Sequence, residues 1–345
     1  MSQEMPKPQQ ENQKRSSKYE VPQILPLKGD ALEYQHTWEE QFKNPEQIEL
    51  YGEYKMEVID LKPEKPISEV PAIFLRGWGT TADVYKTNLK EIARAQRRAI
   101  AIDEPHGIDI ENLPDEERFK GQEIPEVELR KVTALLKTID EKELVQVDLI
   151  THSEGAIYGS YAALLRPDKV RSMVVVDPAG MVGEDKQGRL LAGAALDVAL
   201  QTARIYRNIL KQGGIDAFKK SMIGGRDVAK VVASNPKHQL ESIAVIAESQ
   251  VHEILETLRD LGIKIAIIHG VDDKFFSMEK VQKKTLEKNQ EGETVHRSAD
   301  GFYSVQGTHN EIYLHPERFT KVINHALDAL EALSLKEKAG KGVEK

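Results

Sequence analysis

Residues 147–156, Val-Asp-Leu-Ile-Thr-His-Ser-Glu-Gly-Ala, carry a buried-strand pattern straight into Ser153, a serine set among small residues. A serine hydroxyl is a poor nucleophile at neutral pH, so its chemistry requires a base to accept the proton and a third group to hold that base. Candidates for both lie downstream. The apolar run 263–270 ends in Val271-Asp272-Asp273, and Gly307-Thr308-His309-Asn310 follows a short β-prone run, 302–305. An imidazole in that arrangement takes the serine proton during attack and passes it to the leaving group, while a carboxylate fixes its tautomer and stabilises the imidazolium. Asp272 and Asp273 both qualify as the acid, and Asp177, closing the apolar run 172–176, is a further position. His315 and His325 fall on a predicted terminal helix or its entry, which leaves His309 on a loop after a strand. Ser153 also has a structural reading as the N-cap of a helix predicted over 156–165.

Positioning such groups requires a sheet whose strands end side by side. Strand patterns occur at 54–61, 72–75, 99–102, 147–150, 172–176 and 263–268, with helices predicted over 87–97, 126–138, 156–165 and 316–333. This alternation predicts an α/β fold, a mostly parallel sheet flanked by helices on both faces. The segment 181–261 breaks the rhythm and holds only helix-like stretches, the most apolar being 190–210. Asp197, Arg204 and Arg207 interrupt that stretch, so it is not a membrane span. It is expected to pack on the core and line a pocket, with a lipid-interface helix as the alternative. Gly213-Gly214 and Gly224-Gly225 break the segment into pieces and are candidate hinges.

The order Ser, Asp, His, each after its strand, resembles the α/β-hydrolase family over residues 50–330, in particular its serine esterase and lipase-like members with a helical cap. The resemblance implies a nucleophile elbow at Ser153, with Thr151 where the G-x-S-x-G pattern has its first glycine. Family spacing favours Asp273 over Asp272 as the acid. It also implies that 71–79, Pro-Ala-Ile-Phe-Leu-Arg-Gly-Trp-Gly, is the third strand with the oxyanion loop, although Arg76-Gly77 stands where many relatives have His-Gly. The oxyanion donors would be the backbone N–H groups of Trp78 and Glu154. The Glu154 carboxylate is expected to point away from the oxyanion, since an anion there would oppose the stabilisation. The His152 side chain should likewise point away from Ser153 and serve packing or hydrogen bonding. Arg76 is expected to pair with Glu154 or another nearby acid, with recognition of a substrate carboxylate as the alternative role.

The implied organisation is a disordered tail over 1–20, a core over 21–180 and 262–335, the cap over 181–261 and a charged, fraying tail over 336–345. The implied activity is cleavage of a small-molecule carboxylic ester or related acyl bond through an acyl-enzyme. Two other classes compete. Gly77-Trp78-Gly79-Thr80-Thr81-Ala82 after a strand, with Asp103 closing the next, also fits a dinucleotide fingerprint of an NAD(P)-dependent oxidoreductase. A non-catalytic hydrolase-like binding protein is the other.

Composition narrows the classes. A net charge of −8 offers no nucleic-acid surface, and the absence of cysteine removes disulfides, thiolate metal sites and a cysteine nucleophile. The ten histidines are scattered with no HExxH pair, so no metal is expected, and the proposed chemistry needs no cofactor. Residues 1–18 lack the apolar core of a signal peptide, which points to a cytoplasmic protein without an integral membrane segment. Neither the acyl group nor the oligomeric state is encoded in a recognisable motif.

Overall fold

The computed structural model describes residues 37–51, 54–103, 124–183, 188–190, 192–193, 236–288 and 294–343. The predicted tail over 1–20, most of the cap, the apolar stretch 190–210 beyond its first residues, and both glycine pairs lie outside the described residues.

Ten strands form among the described residues: β1 Glu46–Tyr51, β2 Tyr54–Leu61, β3 Ala72–Leu75, β4 Ala99–Asp103, β5 Val147–His152, β6 Val170–Val176, β7 Lys264–Gly270, β8 Leu286–Lys288, β9 Thr294–His296 and β10 Gly301–Val305. Eight of them make one sheet in the order β1-β2-β4-β3-β5-β6-β7-β10, and β8 and β9 form a separate antiparallel pair. Strand β2 runs antiparallel to both β1 and β4, and the remaining neighbours are parallel. The chain thus has the predicted mostly parallel α/β sheet.

Helices among the described residues include α1 Lys86–Arg94, α2 Glu126–Glu141, α3 Gly155–Leu165, α4 Pro236–Glu248, α5 Val251–Asp260, α6 Met278–Thr285, α7 Glu311–Leu314 and α8 Pro316–Val343. Alternating residues of the central strands divide between two cores, as a period of two requires. Ile73, Leu75, Leu149, Met173, Val175, Ile265 and Ile267 pack with Val132, Leu135, Ile157 and Leu255 from α2, α3 and α5. Phe74, Ile150, Val174, Val176, Ala266 and Ile268 pack on the opposite face with Leu89 and Ile92 of α1 and Phe319, Ile323 and Leu327 of α8. With both faces covered, the central strands read as continuous apolar runs rather than alternating ones.

Three features differ from the sequence-based expectation. Strand β1 was not predicted, although its residues alternate, with Gln47 and Glu49 exposed and Ile48 and Leu50 buried. The β8–β9 pair is too short to stand out by pattern. Helix α8 continues to Val343, through residues expected to fray, because Leu335-Lys336-Glu337-Lys338 consists of good helix formers and Glu337 pairs with Lys264.

Candidate active site

The parallel strands β5, β6 and β7 end at one edge of the sheet, and the candidate residues sit on the turns that leave them. Strand β5 runs to His152, and α3 begins at Gly155, so the chain reverses over Ser153 and Glu154. Ser153 is held at φ 52°, a left-handed conformation that L-residues other than Gly, Asn and Asp seldom adopt. The turn persists because three backbone bonds enclose it: the Ser153 N–H donates to Val176 O at 3.0 Å, and Ser153 O accepts from Ala156 N–H at 3.0 Å and Ala179 N–H at 3.1 Å. It also requires Gly155, whose added Cβ would sit 2.6 Å from Leu75 O and 3.0 Å from Arg76 O.

Thr151, in place of the expected glycine, is accommodated by a glycine elsewhere. A Cβ on Gly159 would lie 3.1 Å from Thr151 Cγ2 and 2.8 Å from Leu75 Cδ1. The space taken by the threonine methyl is returned one turn along α3, a compensation visible in sequence only once the helix register is known.

The fold brings Ser153, Asp273 and His309 into one hydrogen-bonded chain. Ser153 Oγ lies 2.9 Å from His309 Nε2, and His309 Nδ1 lies 2.9 Å from Asp273 Oδ2. Since a carboxylate only accepts, His309 donates Nδ1–H to Asp273 and its Nε2 accepts the serine O–H. The other carboxylate oxygen, Asp273 Oδ1, accepts the N–H groups of Phe275 at 2.7 Å and Phe276 at 3.0 Å. Burial alone would raise the Asp273 pKa, but the His309 charge and hydrogen bond outweigh it and hold the carboxyl below its usual range. The rings of Phe275 and Phe276 stand 4.6 Å and 5.3 Å from the imidazole of His309 and wall it in. Asp272 instead accepts a hydrogen bond from Gln306 at 2.6 Å at the surface. His315 and His325 are outside this chain of bonds: His315 lies 3.5 Å from Glu311, and His325 meets the Tyr303 ring.

The loop after β3 packs directly behind the serine. A Cβ on Gly77 would meet His152 Nδ1 at 2.9 Å and Ser153 Cβ at 3.2 Å. The Gly77 N–H donates to Tyr85 Oη at 3.2 Å. Among the described residues, neither the Trp78 nor the Glu154 N–H has a hydrogen-bond acceptor. The Glu154 carboxylate is drawn toward α2, where Lys131 Nζ lies 2.7 Å from it and 3.2 Å from Glu128. Burial raises the Glu128 pKa to about 8, and the neighbouring Glu154 charge adds to the rise, outweighing Lys131. Arg76 pairs with Asp103, Nε to Oδ1 at 3.2 Å, and donates to Thr80 O at 2.7 Å, so the nearby acid of the structural reading is Asp103 rather than Glu154. Both Asp103 oxygens also accept the Ala82 N–H at 2.9 Å. In the dinucleotide reading this carboxylate would hold a ribose; here it ties the loop after β3 to the end of β4.

His152 points away from the serine. Its Nε2–H donates to His309 O at 3.1 Å, and its Nδ1 accepts from Tyr85 Oη at 2.7 Å. Burial, with the nearby His309, lowers its pKa to about 3. Tyr85, fully buried with its pKa raised by that burial to about 12, is thus the hub joining the loop after β3, through His152, to the His309 backbone, and sequence patterning gives no sign of it. Sequence reasoning also passed over His269, which meets Asp177 beneath the site, Nδ1 to Oδ1 at 2.6 Å. The groups His152–Asp177–His309 and Asp177–His269–Asp273 each place potential metal-ligand atoms within 4.8 Å, a clustering that scattered sequence positions hide. Both ring nitrogens of all three histidines are already engaged with protein partners, as are both oxygens of Asp273, while Asp177 Oδ2 has no hydrogen-bond partner among the described residues; with the other ligand atoms so engaged, the residues fit a hydrogen-bond network better than a cation.

Strand order, crossovers and a serine on the tight turn after β5 together define the α/β-hydrolase fold. Similar solved structures include a bromoperoxidase from Bacillus anthracis, 13% identical with TM-score 0.56, covering 83% of this chain and 100% of that one. A thermophilic esterase from Thermogutta terrifontis is 14% identical with TM-score 0.55, covering 83% and 99%. An enol-lactonase from Burkholderia xenovorans LB400 is 11% identical with TM-score 0.56, covering 82% and 100%. No protein-family model and no curated protein sequence matches the chain. Among the described residues no helix is long and apolar enough to cross a membrane.

Proposed function

We propose that this protein is a serine hydrolase that cleaves a carboxylic ester or related acyl bond. The observation that carries the reading is the unbroken relay of Ser153 Oγ, His309 and Asp273, with 2.9 Å at both steps, beside two backbone N–H groups that have no acceptor among the described residues. His309 Nε2 takes the Ser153 proton as Oγ attacks the acyl carbon. The N–H groups of Trp78 and Glu154 receive the charge on the carbonyl oxygen, each donor being worth about 3 kcal/mol to the transition state. His309 then protonates the leaving alcohol or amine, which departs and leaves an acyl ester on Ser153. A water deprotonated by the same nitrogen attacks that ester and releases the acid, returning the proton to Ser153. Asp273 stays ionised throughout and supports the transient imidazolium.

The Glu154–Lys131 pair supports the same reading, because it keeps a buried carboxylate from facing the oxyanion. The fold neighbours support only the general class, since they include a bromoperoxidase, an esterase and an enol-lactonase. The test is labelling by a fluorophosphonate probe of wild type, Ser153→Ala and His309→Ala, with mapping of the modified peptide. Labelling at Ser153 that disappears in both variants is the expected result. A folded wild-type protein that resists the probe and hydrolyses no member of a p-nitrophenyl ester series would favour a hydrolase-like binding protein instead.

A further inference from the structure

We infer that Asp177 and His269 form a second carboxyl–imidazole pair, holding its own proton, that positions the acid Asp273; the inference rests on the hydrolase reading of Ser153. Both residues are fully buried, Asp177 just beyond the end of β6 and His269 one residue before the end of β7. His269 Nε2 lies 3.1 Å from Phe276 O, and a carbonyl only accepts, so Nε2 carries a hydrogen. Its Nδ1 lies 2.6 Å from Asp177 Oδ1. Two bare acceptors would repel at that distance, so a second proton lies between them. Whether drawn as imidazolium and carboxylate or as imidazole and carboxylic acid, the pair is neutral overall.

The bonds made by the pair converge on the turn that carries Asp273. Asp177 Oδ1 also accepts the Gly270 N–H at 2.6 Å, where β7 ends and the turn begins. His269 grips the far side of the turn through Phe276 O, the residue whose N–H is given to Asp273. His269 Nδ1 stands 3.8 Å from Asp273 Oδ2, the same oxygen that receives His309. Asp177 sits at φ 43°, in the left-handed region that Asp adopts more readily than most residues, and its own bonds hold it there. These are its N–H to Ile268 O bond at 2.9 Å and its two acceptor bonds.

The groups facing the pair are Asp273, His309 and His152. Without its proton, Asp177 would be a second carboxylate beside Asp273, and like charges in a buried site drive one of the two to protonate. His269 prevents this and leaves Asp273 free to serve His309 alone. Burial raises the Asp177 pKa; for His269 burial acts downward, but the Asp177 hydrogen bond and charge outweigh it and raise the pKa, so both directions keep the proton in the pair.

The test combines a proton signature with kinetics. In wild type, two strongly hydrogen-bonded proton resonances are expected downfield of the amide region, one from the His309–Asp273 bond and one from the His269–Asp177 bond, whichever atom of the second pair carries the proton. His269→Gln and Asp177→Asn should each remove the second resonance. Each should also lower kcat for p-nitrophenyl acetate at least tenfold, with KM within twofold and native near-UV circular dichroism. A single downfield resonance in wild type overturns the inference. So does an unchanged kcat in both variants, or a fall in kcat that merely tracks loss of the near-UV signal in both. Fluorophosphonate labelling reads the hydrolase assignment separately: two resonances in a protein that does not label would leave the pair standing and remove the role of Ser153.

Discussion

Replacing Gly155 by alanine adds a single carbon, and the structure says where it would land. The new Cβ would lie 2.6 Å from Leu75 O and 3.1 Å from Leu75 C, against the 3.4 Å at which ordinary contact begins. These obstacles are backbone atoms of Leu75 at the end of β3, a strand held between β4 and β5 with Leu75 itself paired to Thr151, so they cannot rotate away. About 0.8 Å must be found by pushing the start of α3 off β3, an overpacking cost of about 1–3 kcal/mol. The same movement displaces the Glu154 N–H and Ser153, and misplacement approaching 1 Å at a reacting centre costs about a hundredfold in rate. Gly159→Ala is the control on the same helix. Its Cβ would meet Leu75 Cδ1 at 2.8 Å and Thr151 Cγ2 at 3.1 Å, both side-chain ends, with Leu75 able to yield. Alanine also gains about 1 kcal/mol over glycine within a helix. Gly155→Ala should therefore lower kcat on p-nitrophenyl acetate about a hundredfold and lower Tm by a few degrees, while Gly159→Ala stays near wild type in both. Equal damage from the two substitutions, or a Gly155→Ala enzyme with wild-type rate and Tm, would refute the reasoning.

Other perturbations have equally definite outcomes. Asp273→Asn should leave the fold intact by circular dichroism and reduce kcat by about 10³–10⁴, as expected where the amide favours the wrong imidazole tautomer. Tyr85→Phe strips partners from the Gly77 N–H and His152 Nδ1, so urea unfolding should show a loss of about 1–3 kcal/mol. His152 has its pKa lowered to about 3 by burial, so between pH 6.5 and 3 the unfolded chain binds a proton that the folded chain refuses. Stability should fall as pH drops through that window, and His152→Gln should flatten the slope in urea titrations at successive pH values. Glu128 works in the opposite sense: with its pKa at about 8, the folded state keeps a proton that the unfolded chain releases above pH 4.5. Stability should decline from pH 4.5 to 8, and a Glu128→Gln variant that retains this slope would show the proton is held elsewhere.

Much of the fold was legible because local pattern and burial agree. Residues 54–61 and 72–75 form strands over the predicted spans: 72–75 is a continuous apolar run with both faces covered, while 54–61 opens in alternation, Lys55 and Glu57 exposed and Met56 and Val58 buried. The proposed nucleophile, acid and base, Ser153, Asp273 and His309, follow β5, β7 and β10, so their places on the chain could be read from where those strands end. β1 was also readable in principle from its alternation, whereas β8 and β9 are three residues each and carry too little period to detect.

What sequence alone determined was therefore the central parallel strands, where they end, and the residue types from which the proposed chemistry is argued. Tertiary structure decided which buried polar groups meet. Asp177 and His269 are 92 positions apart, Tyr85 and His152 are 67 apart, and Arg76 finds Asp103 rather than Glu154. No local period links such pairs. They are selected because a polar group taken from water must find a partner, and only the packed sheet brings that partner within reach.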